Sequence, residues 1–209
     1  MINERIFLAS ASPRRREILE TAGFHPIIIK ADADESEIPY TPGHPEEYVK
    51  ALARLKNDAA LRDNPELEDG IILTADTVVV GDDMLPPLGK PKNREDAVHM
   101  LRSLSGRSHR VLTGVMLRDT KTGFASLFCQ STEVYFRELS DEEILRYCDS
   151  GEPYDKAGGY GIQGKACVFV ESFCGDYFNV VGLPICRVYE ETECLLLSRK
   201  IDALLSEDN

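Results

Sequence analysis

Along this chain, short apolar runs alternate with stretches of helical spacing, a pattern that predicts an α/β or α+β architecture. Ile6-Phe7-Leu8-Ala9 reads as the first strand. Ser12 then stands as the N-cap and Pro13 as the first residue of a helix that runs to about Ala22 and stops at Gly23. His25 to Ile29 reads as a second strand, and Ala31 to Gly43 as a polar, acidic loop. Between Pro45 and about Arg62 the spacing is helical, with Val49, Leu52, Ala53 and Lys56 on one face. Ile71-Ile72-Leu73 and Val78-Val79-Val80 flank Thr74-Ala75-Asp76-Thr77, as one buried strand interrupted by polar residues. Asn93 caps a helix to about Leu104, and Ser140 with Glu143 forms a capping box for another ending near Gly151. Arg110 to Leu117, Thr132 to Phe136, Val168 to Val170 and Ile185 to Tyr189 read as further strands. A closing helix spans Glu191 to Leu205, and no internal repeat interrupts the series.

Composition narrows the function classes. A chain of 209 residues with 43% hydrophobic residues has ample material for a packed core. Its net charge of −12 argues against a nucleic-acid binder, which carries a basic face. A small anionic substrate needs only a local group of Lys and Arg, so it stays admissible. No run approaches the roughly 18 apolar residues of a membrane helix. The first residues lack the apolar stretch of a signal peptide, so a cytoplasmic protein is expected. The six cysteines form no C-x-x-C pair and stand at no zinc spacing from histidine, which predicts buried free thiols. The histidines His25, His44, His99 and His109 form no triad or metal spacing and read as structural or exposed.

Four segments carry residues suited to chemistry. At Ser10-Ala11-Ser12-Pro13-Arg14-Arg15-Arg16 a strand gives way to a helix, where free N–H groups and bidentate guanidinium donors suit a phosphate. Stability alone would not place arginines at that end of a helix, because they oppose its dipole. Asp76 interrupts an apolar strand, either as a turn residue or as a carboxylate in a cleft. An ionised Asp is a weak base at neutral pH, and a metal-bound water would be easier for it to deprotonate. Glu35 is either a second carboxylate for that metal or part of an acidic surface loop. Lys56 shares the inward face of its helix, a costly place for a lysine without a partner. Lys90, between Gly89 and Pro91, is either a presented phosphate ligand or a surface turn lysine. Finally, Gly159 to Gly164 spells G-x-G-x-x-G, but no strand precedes it, which excludes a dinucleotide fingerprint. Its Gln163 could read the edge of a base or bond locally.

Six of these stretches, taken in order, resemble the Maf family of nucleotide pyrophosphatases. They are Leu8 to Arg15, Ala75 to Val79, Leu88 to Pro91, Leu104 to Arg107, Ser150 to Pro153 and Asn179 to Pro184. The resemblance spans Leu8 to about Tyr189. It implies a Maf/inosine-triphosphatase-like α/β fold over residues 1–209, two-lobed, with an elongated mixed sheet flanked by helices and a central cleft. It implies hydrolysis of a nucleoside triphosphate to the monophosphate and pyrophosphate, with Mg²⁺ or Mn²⁺ as cofactor. Under it Asp76 is the catalytic base, and Glu35 with Asp76 holds the metal. Ser10, Arg15, Lys56 and Lys90 bind phosphate, while Arg14, Thr77 and Gln163 select the substrate. The segment Ala157 to Gly164 resembles the branch acting on dTTP and UTP. A 7-methyl-GTP or modified-nucleotide pyrophosphatase is the alternative activity, and a nucleotide-binding regulator of cell division the non-enzymatic one. A homodimer is also implied by the resemblance.

Overall fold

The computed structural model describes residues 4–207. Six strands form one mixed sheet in the order β2-β1-β3-β4-β5-β6. β1 (Ile6–Leu8) runs parallel to β2 (Ile27–Ile28) and to β3 (Ile71–Val80). β3 pairs antiparallel with β4 (Ser108–Asp119), β4 with β5 (Ala125–Phe136), and β5 with β6 (Val170–Cys174). The helices are α1 (Pro13–Thr21), α2 (Pro45–Asp63), α3 (Arg94–Leu104), α4 (Asp141–Cys148), α5 (Tyr177–Val181) and α6 (Ile185–Glu207). The α/β class agrees with the pattern, and the mixed sheet flanked by helices is the one the family resemblance implies. No helix among the described residues is long and apolar enough to cross a membrane.

The period of β3 organises the core. A strand presents successive side chains to opposite faces. The even residues meet α2: Thr74 Oγ1 donates to the Ala53 carbonyl at 2.8 Å, and Val78 and Val80 cluster with Val49 and Leu112. Here α2 lies unusually close to the sheet, and Gly114 of β4 is what allows it. A Cβ on that glycine would stand 2.6 Å from the Val49 carbonyl carbon and 2.9 Å from the Lys50 nitrogen. The odd residues of β3 face the other helices and divide between two apolar clusters. Ile71, Leu73 and Ala75 pack with Ile18 and Leu19 of α1 and with Val188 and Leu195 of α6. Val79 packs with Leu101 and Leu104 of α3 and Ile144 of α4.

A polar seam separates the two clusters. Thr77 and Thr113 bond through their hydroxyls at 3.0 Å, and Thr113 Oγ1 donates to the Asn179 carbonyl at 3.2 Å. Asn179 Nδ2 donates to Thr132 Oγ1 and to the Val111 carbonyl, both at 2.9 Å. Buried hydroxyls and amides are costly unless paired, so the seam is a deliberate break in the apolar interior. At the far end of the sheet, Asp119 is fully buried and accepts Nε of Arg199 at 2.6 Å. Arg199 also pairs with Glu4 and Asp69, and so ties α6 to the β3 end of the sheet.

Several local expectations need correction. Ile185 to Tyr189 is no strand: it is the first turn of α6, whose Val188 N–H donates to the Pro184 carbonyl. A short apolar run cannot by periodicity be told from a buried helical segment. Val168 and Phe169 belong to a 3-10 turn, Lys165–Phe169, and the strand begins only at Val170. β6 is an edge strand with an exposed face, so it lacks the apolar pattern of a buried one. Cys148 is buried and Cys129 half-buried, but Cys167, Cys174, Cys186 and Cys194 are exposed, against the expectation of buried thiols. Burial pushes the Cys129 thiol up to about 11, which removes it as a nucleophile. The capping box of α4 is complete, with Ser140 and Glu143 each accepting from the other's backbone.

Candidate active site

An interruption in the sheet leaves a gap beside β3. The Ala9 N–H donates to the Leu73 carbonyl at 3.1 Å, the last rung between β1 and β3. That edge of β3 has no strand partner again until Leu88 bridges Val79, at 2.7 Å. Asp76 and Thr77 lie in the gap, between the start of α1 and the turn carrying Lys90. The glycine segment closes on the same turn. Gly158 donates to the Gly89 carbonyl at 3.0 Å, and a Cβ on it would stand 2.9 Å from a methyl of Val79. Its φ of +69° independently favours glycine.

On the α2 face, the Lys56 ammonium bonds to the Asp76 carboxylate and to Glu35 Oε1, the latter at 2.8 Å. The side chains of Lys56 and Asp76 are 19% and 14% exposed, so this pair is largely withdrawn from water but open at one side. The inward lysine of α2 therefore has two carboxylate partners. Tyr48, on the same helix, borders the group: burial raises its phenol pKa, and the Asp76 and Glu35 charges add to that.

On the opposite face, Arg15 is buried and anchored three times. Its Nε donates to the Gly182 carbonyl at 2.9 Å, one terminal nitrogen to Ser10 Oγ at 3.0 Å, and the other to Thr77 Oγ1 at 3.0 Å. Burial pulls its guanidinium below the usual range, and the nearby Asp76 charge opposes that. These bonds take one hydrogen from each nitrogen, so about two of the five N–H groups of a guanidinium stay free for a phosphate oxygen. Arg14 projects beside it and pairs with Asp155 at 3.3 Å. Lys90 and Gln163 are exposed, and their side chains form no hydrogen bond or ion pair among the described residues.

A positively charged rim around a recessed carboxylate suits a polyphosphate, and the sequence of the whole chain agrees. The sequence model of the family described as Maf-like protein matches residues 5–194. The chain belongs to the Maf family. The dTTP/UTP pyrophosphatase of Alkaliphilus metalliredigens (strain QYMF) is 50% identical over 188 residues, 90% of this chain and 94% of the relative. That of Chromobacterium violaceum is 49% identical over 195 residues, 92% and 93% of the two chains. That of Syntrophomonas wolfei subsp. wolfei is 47% identical over 183 residues, 87% and 93%.

In this Maf chain the structure gathers Asp76, Lys56 and Glu35 on one face of β3, and Ser10, Arg15 and Thr77 on the other. Arg14, Lys90 and Gln163 stand on segments that meet at the same open edge. Sequence reasoning gave no role to Gly182, whose carbonyl anchors Arg15, or to Asp155, which holds Arg14. Gly182 lies in a stretch that carries the family resemblance, Asn179 to Pro184, and that was its available signal, while Asp155 falls between two such stretches. The two residues expected to hold a metal lie together. Glu35 and Asp76 converge on one point, since both bond Lys56, but no group of three or more His, Cys, Asp or Glu among the described residues could hold a metal. Two carboxylates fit Mg²⁺, which keeps waters and takes its other oxygens from substrate phosphates.

His109 underlies the glycine segment through Tyr160. Its Nε2 bonds the Tyr160 hydroxyl at 2.7 Å, inside a buried aromatic cluster with Phe136. Burial depresses its pKa from 6.5 to about 4. The unfolded chain therefore takes up the proton first as pH falls, and folding stability drops between the two values. The expected loss from this residue is about 2 kcal/mol between pH 7 and pH 5. Urea unfolding of the wild type and His109→Gln at both pH values checks it: the variant's drop should be smaller by that amount.

Proposed function

We propose that this protein hydrolyses dTTP and UTP to the nucleoside monophosphate and pyrophosphate. The observation that carries the reading is the meeting of the Asp76 carboxylate, Lys56 and the buried Arg15 where β3 loses its strand partner. The names of the relatives support the choice of substrate. The triphosphate lies across the gap with its charge matched by Arg15, Lys56 and Lys90. Asp76 orients a water and accepts its proton as the water oxygen attacks the α phosphorus. The bond from that phosphorus to the bridging oxygen breaks, and pyrophosphate leaves with the pair of electrons. Lys56 stands beside Asp76, where it can follow the charge that moves onto the leaving group. A divalent cation held by Glu35 and Asp76 would supply further neutralisation of the phosphates. Positioning and fixed charge carry most of the rate in such chemistry. Thr77, Arg14 and Gln163 set the choice of base.

A panel of canonical and modified triphosphates, assayed for pyrophosphate release with Mg²⁺ or Mn²⁺, tests the proposal. dTTP and UTP should give the highest kcat/KM. Faster hydrolysis of 7-methyl-GTP would move the chain to another branch of the same chemistry. Nucleotide binding without hydrolysis would make it a regulator instead.

A further inference from the structure

The half-buried Arg14 and the exposed Gln163 are far apart in sequence and share no hydrogen bond, yet a chain of bonds runs from Arg14 to the loop that carries Gln163. Arg14 pairs with Asp155 Oδ2 at 3.3 Å. Asp155 Oδ1 accepts the Lys156 ammonium at 2.5 Å. The same ammonium donates to the Glu152 carbonyl at 2.7 Å. The Glu152 carboxylate then accepts the Lys165 N–H at 3.0 Å and the Tyr147 hydroxyl at 3.1 Å. Between those grips lies the loop that carries Gln163. Both of its flanking glycines are places where this network fills the space of a side chain. A Cβ on Gly161 would stand 2.6 Å from Cε of Lys156, and one on Gly164 would stand 2.6 Å from Cδ of Glu152. The Lys156 stem is thus a wedge under one end of the loop and Glu152 a clamp on the other.

Energetics indicate what the network is for. Asp155 is 63% exposed, and an exposed ion pair contributes little to stability. The Arg14–Asp155 pair therefore does little to hold the fold. It fixes the direction of a guanidinium, and Lys156, only 15% exposed, passes that restraint to the loop.

Building on the proposed function, we propose that Asp155, Lys156 and Glu152 are positioning residues that couple Arg14 to Gln163, so that the two select the base as one unit. A nucleotide that moves Arg14 moves the Gln163 loop with it. None of the three need touch the reacting atoms.

The test is a double-mutant cycle on substrate preference, the kcat/KM ratio of dTTP to a purine triphosphate. In the wild-type background, Arg14→Ala and Gln163→Ala should combine non-additively, by at least about fivefold. In a Lys156→Met background, which keeps the stem but removes the ammonium, the coupling should fall to within about twofold, with losses appearing in KM more than in kcat. Asp155→Asn should abolish the coupling likewise, and its exposed position keeps folding out of the result. Additive effects in the wild type, or coupling that survives in both backgrounds, overturn the inference. Wild-type protein that releases no pyrophosphate from any triphosphate defeats the proposed function, and the cycle is then read on calorimetric nucleotide binding. Wild type that binds no triphosphate overturns both.

Discussion

Asp76→Asn should lower pyrophosphate release by about 10³-fold or more while nucleotide affinity stays within a few-fold of wild type. The size follows from the loss of a proton acceptor next to the reacting water, which typically carries about 10²–10⁴ in rate. The variant also keeps the shape of the site. The amide has the volume of the carboxylate, and Lys56 retains Glu35 as a partner at 2.8 Å, so no ammonium is left stranded in a half-buried cleft. Arg15 is held from the other face by Gly182, Ser10 and Thr77, and Asp76 makes none of its bonds. Steady-state kinetics with dTTP and calorimetric binding of the same nucleotide separate the two effects. Near-normal turnover would remove Asp76 from the chemistry, and a parallel collapse of binding would make it a structural residue.

Gly114→Ala carries the largest expected effect on stability. Alanine ordinarily gains about 0.5–1 kcal/mol over glycine inside a strand, because the unfolded chain has less freedom to lose. Here the new methyl meets the backbone of Val49 and Lys50, which no side-chain rotation can move aside. Overpacking costs about 1–3 kcal/mol where neighbours can shift, and a collision with helix backbone belongs at or above the top of that range. A net loss of about 3 kcal/mol is expected in urea unfolding. Gly114 is also the register partner of Asp76. A helix pushed outward at Val49 takes Lys56 with it, so turnover should fall in the variant even where it remains folded. A stability unchanged within about 0.5 kcal/mol would mean that α2 does not sit as close as described.

Much of this arrangement is legible in the residues themselves. The apolar triplets around Thr74 to Thr77 locate β3 and the polar residues within it. The helical face of Val49, Leu52 and Ala53 points Lys56 inward before any partner is known. Ser140 and Glu143 announce the start of α4. Other features depend on pairings that leave no local trace. The first half of β5 mixes half-buried and exposed residues, so its extent is set by β4 and not by its own pattern. Ile185 to Tyr189 carries the short apolar signal a strand would, yet it opens the helix α6, which packs on the sheet through Val188. The anchors of Arg15 and Arg14 come from Gly182 and Asp155, more than 100 residues away. One is a backbone carbonyl, a group every residue has, and the other an acidic residue among 36.

The placing of Asp76 and Thr77 side by side on one strand has a further consequence. Consecutive strand residues point to opposite faces, so the carboxylate lies with α2 while the threonine lies with α1 and the polar seam. Under the proposed function, the residue that handles the water and one that selects the base are neighbours in the chain but work from opposite faces of one strand. A change at Thr77 reaches Arg15 through their shared bond but leaves the bond between the carboxylate and Lys56 in place. For a lineage of such enzymes, substrate range is then free to diverge while the chemical step is inherited intact.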